Sequence, residues 1–210
     1  MNILITLFFA TIVILHLAKK KSWLGLLYAI QSLFIVCLMV NSFSETGAVS
    51  WLIIALFTLG VKVILAPVFV NNLIKKHELK FTVNTYLNTS LTLILVAALT
   101  AFAHSKLFSP LTGINPANRG TLALLLAALF ISLFLIVNRK GALSQIIGVL
   151  SLENSIVAFG LLSGLEQIPA LQIGIIFNLF LWIIIATIFI SMIYRHFGSL
   201  DVTEMTHLKD

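Results

Sequence analysis

Residues 51–74 read WLIIALFTLGVKVILAPVFVNNLI, and this stretch decides the fold. It carries one formal charge, Lys62, which stands 11 residues after Trp51 and 12 before Ile74. A helix rises about 1.5 Å per residue, so a run of this length spans the roughly 30 Å hydrocarbon core of a bilayer. It has no polar face to turn toward water. Six further stretches share this character: roughly Ile3–Leu17, Trp23–Val40, Thr82–Ala103, Thr121–Asn138, Ala142–Gly164 and Leu171–Tyr194. The first is short. It shows no small-residue cleavage site before Lys19, Lys20 and Lys21, so it reads as a retained helix and not as a signal peptide.

The composition of the whole chain agrees. Of 210 residues, 60% are hydrophobic and 10% charged, and the mean hydropathy is +1.12. Thirteen basic and seven acidic side chains are too few to cover a soluble surface. The runs are continuous and lack the ten-residue alternation of porin strands, and a lone span must satisfy its backbone internally. The expected fold is therefore all-α, a polytopic membrane protein of about seven transmembrane helices. A single cysteine, Cys37, lies within an apolar run, which excludes an internal disulfide and any cysteine-ligated cluster.

The net charge of +6 is a matter of orientation, not of nucleic-acid binding. With the N-terminus outside, the cytoplasmic side receives Lys19, Lys20, Lys21, Lys75, Lys76, Lys80, Arg139, Lys140, Arg195 and Lys209. The other side receives only Lys106 and Arg119. Ten against two is a firm positive-inside pattern, with the C-terminus cytoplasmic. The loop around Phe108 to Gly120, with Pro110 and Pro116, divides a four-helix part (1–105) from a three-helix part (121–195). The outer loop is 106–120, and a short polar tail covers 196–210. No span-length repeat is visible, and no segment is long enough for a water-soluble catalytic domain.

Eighteen of the 20 formal charges fall in loops, in the tail or at span ends. Lys62 and Glu153 do not. Glu153 stands 11 residues after Ala142 and 11 before Gly164, at the same depth as Lys62. A charge at the centre of a helix costs about 2.5–3.5 kcal/mol to insert, so neither faces lipid unpaired. One reading is a proton relay, in which each group accepts and releases a proton as its surroundings change. Asn154 beside Glu153, Gln145 eight residues earlier, and Asn178 at mid-depth in the seventh span are candidates to extend it. The other reading is an interhelical ion pair that fixes packing and never exchanges protons. Pro67, five residues after Lys62, removes the backbone bond to the Val63 carbonyl and kinks or loosens that turn.

Other polar residues are less telling. His16 and His104 sit near span ends and read as interfacial. His77, His196 and His207 lack ligand spacing, so no metal site is expected. Tyr28, Gln31 and Ser32 form a polar stripe that reads as interhelical hydrogen-bond glue, and Asn84, Asn88 and Ser90 read the same way. There is no Walker loop, no GxGxxG entering a helix and no GxSxG, and neither catalysis by this chain alone nor a bound cofactor is expected.

Four segments together carry a family likeness. They are Tyr28-Ala29-Ile30-Gln31-Ser32, Lys62 through Pro67, Gln145-Ile146-Ile147-Gly148 through Glu153-Asn154, and Gly198-Ser199-Leu200-Asp201-Val202 with Leu208-Lys209. In order and spacing the chain resembles component E of hydrogenase-4, a membrane subunit family of energy-converting hydrogenases and formate hydrogenlyases. From about Arg139 onward it is also similar to the K-type subunit of NADH:quinone oxidoreductase. Aligned on Gly148, the K-type glutamate of the second helix falls at Leu150, one turn from Glu153. The K-type third-helix acid falls near Phe180, which is apolar here; related component E proteins can carry an acid where this chain has Asn178.

The resemblance implies a cofactor-free membrane-arm subunit of a complex I-like assembly, in a bacterial or archaeal cytoplasmic membrane, with antiporter-like subunits as partners. It implies that nickel–iron and iron–sulfur chemistry belongs to those partners. It also implies that this chain couples the redox step to proton or sodium movement around Glu153 and Lys62. A purely structural subunit is the first rival. A stand-alone secondary transporter is the second, for which inverted repeats would be expected.

Overall fold

A computed structural model of the chain describes residues 1–76 and 83–164, with isolated positions between 173 and 195. Most of the expected seventh span, Asn178 within it, and the tail 196–210 lie outside the described residues. Among the described residues every regular element is helical, apart from an isolated bridge between Thr85 and Arg139. Four helices are long and apolar enough to cross a membrane: Trp23–Thr46, Ser50–Asn72, Pro116–Asn138 and Ala142–Leu162. A fifth results if Thr89–Ala103 and Lys106–Thr112, bent by 49° against each other, form one span. Asn2–Leu17 is a shorter apolar helix.

Helix α1 (Asn2–Leu17) stops where Ala18 turns extended, just before three lysines. Helix α2 (Lys21–Thr46) runs six residues beyond the Val40 end that hydropathy suggests. Its polar last turns are held locally: Asn41 bonds Glu45 at 2.8 Å, and Ser44 and Thr46 donate to the carbonyls four residues back. Gly47, at φ 68°, ends it in the left-handed conformation and donates to the Phe43 carbonyl.

The third span begins as α3 (Ser50–Thr58), widens into a π turn at Leu59–Leu65 and continues as α4 (Ala66–Lys76). The Ala66 N–H reaches back five residues to the Val61 carbonyl. The backbone is thus loosened on the N-terminal side of Pro67, and Ser50–Asn72 still passes through as a single span.

Helix α5 (Thr89–Ala103) starts seven residues later than the hydropathy start at Thr82. Asn88 is the reason: its side-chain oxygen accepts the Leu91 N–H at 2.8 Å, a helix cap and not interhelical glue. The preceding strip runs extended across the bundle end. Val83 donates to the Lys19 carbonyl, Tyr86 to that of Asn138, and Lys140 donates to the Asn84 carbonyl. The Asn138 side chain, which accepts the Leu87 N–H and donates to Thr92, locks the strip in place. A short helix α6 (Ser109–Thr112) leads to α7 (Arg119–Asn138) and α8 (Ala142–Leu162).

The apolar core falls into two main clusters. Phe8, Ile12, Ile35, Trp51, Ile131 and Val157 belong to one. Leu15, Leu24, Tyr28, Val61, Leu135 and Leu150 belong to the other, nearer Lys19. The sequence intervals between the clusters, on α2, the π turn, α7 and α8, hold Gln31, Ser32, Lys62, Ser132, Ser151, Asn154 and Ser155, all buried. A polar layer is therefore clamped between two apolar ones.

Helices α7 and α8 pack most extensively, and Gly148 permits it. A Cβ there would lie 2.8 Å from Ile136 Cγ1 and 3.1 Å from the Ile136 backbone nitrogen. Small residues at such crossings let backbones approach, because lipid supplies no hydrophobic drive between helices. Gly148→Ala should lower unfolding stability in detergent by about 1–3 kcal/mol. Gly160→Ala, on the same helix with nothing within 4 Å of the added carbon, should not destabilise and serves as the control.

Candidate functional site

The π turn presents Lys62 into the polar layer, where it is 1% exposed. Its Nζ lies 3.3 Å from Glu153 Oε1 and donates a hydrogen bond to Asn154 Oδ1 at 3.0 Å. The two intramembrane charges picked out by sequence therefore meet. They meet as an ion-pair contact, while the directed hydrogen bond goes to the neighbouring amide. The Glu153 side chain keeps 14% of its exposure, so it lies at the margin of the bundle with Lys62 behind it.

The layer extends in two short chains of hydrogen bonds. In the first, Asn154 Nδ2 donates to Ser32 Oγ at 2.9 Å, linking α8 to α2 and, through Lys62, to the π turn. In the second, Gln31 Nε2 donates to Ser151 Oγ at 3.0 Å. Ser132 Oγ lies 3.2 Å from both Ser151 Oγ and Ser155 Oγ. Among the described residues, Tyr28 Oη and Gln31 Oε1 are buried with no hydrogen-bond partner. Unpaired polar atoms in a protein interior are costly, and a layer holding two of them favours a water molecule or a rearranged side chain.

The π geometry explains how a lysine reaches this position. One extra residue in the turn advances the register, so that side chains after it point differently from those of a continuous α-helix. Gly60 lies inside the turn and Pro67 just beyond it. Glycine tolerates irregular backbone, and proline has no N–H to lose to it.

Other residues singled out by sequence go elsewhere. Gln145 donates to the Arg139 carbonyl at 2.9 Å, at the start of α8 and away from the charge pair. Eight residues carry a helix through two turns and a further ~80°, enough to aim Gln145 off the Glu153 face. His16 turns into the bundle. It is 5% exposed, stacks on Phe134 at 5.2 Å and lies 3.0 Å from the Ile131 carbonyl through Nε2. His104 is exposed and bonds the Thr100 carbonyl within its own helix.

Sequence reasoning passed over Ser132, Ser151 and Ser155. Their signal is the spacing Gly148, Ser151, Ser155, which lines up small residues on the α8 face that meets α7. It also missed the burial of Arg139, which is 1% exposed although it follows a span end.

Comparison with protein-family models, curated proteins and solved structures finds no match. This is a helical membrane protein with an ion pair inside its bundle.

Proposed function

We propose that the chain is a membrane-arm subunit of a hydrogenase-4-type, complex I-like assembly, and that Glu153 and Lys62 take part in moving protons or sodium ions. The observation that carries this reading is the Lys62–Glu153 contact at 3.3 Å, inside a polar layer, with Glu153 the more exposed of the two. An intramembrane ionisable pair is functional by default, because its insertion cost is borne only where it does something. Glu153 at the margin can exchange its proton with a neighbouring subunit or a water file. Lys62 behind it sets the electrostatic cost of protonating the carboxylate. The π turn gives the lysine a backbone that can change register, moving the cation toward or away from the acid. In this reading the chain sits in a bacterial or archaeal cytoplasmic membrane with its lysine-rich loops inside. It holds no cofactor, and the redox chemistry is the partners'.

One observation favours the structural rival. Lys62 is enclosed and already engages both Glu153 and Asn154, as a packing pair would. Two experiments divide the possibilities. Affinity purification of the full chain from its native membrane should bring down hydrogenase and antiporter-like subunits in fixed ratio. Recovery of the chain alone, under detergent that preserves membrane complexes, would favour a stand-alone transporter. Conduction is then separated from scaffolding by ion translocation in the Glu153→Gln variant.

A further inference from the structure

Arg139 is a buried cation with no acid beside it among the described residues. It lies just past the end of α7, outside the span, and its guanidinium donates to the Ala18 carbonyl at 3.1 Å and to the Leu15 carbonyl. Those bonds tie off the C-terminus of α1. A guanidinium has five N–H donors, and these bonds engage only two of its nitrogens. Among the described residues no carboxylate lies within ion-pair distance of it, since the one such pair is Lys62–Glu153. Burial lowers its pKa to about 10, which leaves it charged at neutral pH.

The guanidinium lines a cavity of about 220 Å³ at the Lys19 end of the bundle. His16, Lys19, Thr85, Thr89 and Thr92 line it too, and among the described residues no acidic side chain does. Thr89 is the first residue of the 15-residue α5, so the positive end of that helix faces the same space. His16 Nδ1, in a side chain that is 5% exposed, has no hydrogen-bond partner among the described residues. Two cations, a helix N-terminus, hydroxyls and that imidazole nitrogen therefore converge, with no counter-charge among the described residues. Leaving a buried charge unpaired is expensive, and an anion supplies what is missing.

We propose that this cavity binds a phosphate group, the phosphodiester head of an anionic phospholipid. A phosphate is a compact anion with several acceptor oxygens, which suits a guanidinium with spare donors beside hydroxyl groups. The cavity lies at the ends of spans, where a headgroup resides, and basic pockets between transmembrane helices hold anionic lipids in this way. The bound lipid would tie α1, α5 and the strip 83–88 to Arg139.

The test uses the full-length chain in nanodiscs of mixed phosphatidylcholine and phosphatidylglycerol, released for native mass spectrometry. The expected result is one retained phosphatidylglycerol per chain in preference to phosphatidylcholine, with occupancy falling about fivefold in Lys19→Gln and further in Arg139→Gln. Lys19 is exposed, so its replacement tests the site even if Arg139→Gln fails to fold. In parallel, inorganic phosphate is added to the chain in neutral detergent against chloride at equal ionic strength. A rise in melting temperature that Lys19→Gln reduces, without lipid retention, would assign the same site to free phosphate. No selective lipid retention together with no phosphate-specific stabilisation, or either effect unchanged in Lys19→Gln, would overturn the proposal.

Discussion

Lys62→Met should destabilise the bundle by about 3–5 kcal/mol, the cost of removing one partner from a buried ion pair. The lysine is 1% exposed and leaves behind two groups oriented to it, Glu153 Oε1 at 3.3 Å and Asn154 Oδ1 at 3.0 Å. The carboxylate then has no nearby cation at mid-depth, and the amide oxygen loses its donor. Equilibrium unfolding in mixed micelles checks the number. The double variant Lys62→Met/Glu153→Gln should recover most of the loss, since a neutral pair removes the uncompensated charge. If Lys62→Met alone costs less than about 1 kcal/mol, the pair is hydrated and not a buried contact.

Lys62 and Glu153 stand out in the sequence because charges are rare at the centre of an apolar run; their equal depth permits a contact without requiring one, and the folded bundle makes it. Asn154 was legible as the neighbour of the acid, and Gln31 and Ser32 as interhelical bonds, which they make to Ser151 and from Asn154. The serines of α7 and α8 were hidden because a transmembrane serine often bonds only its own helix. Only the packing of α7 on α8 selects Ser132, Ser151 and Ser155 as a set.

Hydropathy reads apolar content and not backbone geometry. It therefore began a helix at Thr82, where residues 83–88 instead pair with the ends of α1 and α7. Nor does it register the π turn at Leu59–Leu65. Arg139 was misjudged for a related reason. A loop cation normally turns to water or headgroups, and nothing local reveals that this one turns inward to cap α1.

Glu153→Gln is the larger effect on function. The amide keeps the shape of the carboxylate and can still accept from Lys62, so the variant should assemble with its partners. It should unfold more easily than the wild type, because the buried Lys62 loses its counter-charge, though by less than Lys62→Met, because the amide oxygen still faces the ammonium. It cannot take up or release a proton, and it leaves Lys62 without its counter-charge. On the proposed function, redox-driven ion uptake should therefore fall by roughly tenfold or more, while turnover of the proposed hydrogenase partners with an artificial electron donor persists.

Redox-driven ion uptake into sealed membrane vesicles carrying the assembled complex, wild type against Glu153→Gln at matched subunit content, is the most direct test. The expected result is normal subunit stoichiometry with ion uptake reduced by that order of magnitude. Wild-type uptake in the Glu153→Gln vesicles would contradict a role for the Lys62–Glu153 pair in ion movement and would leave it as a packing contact.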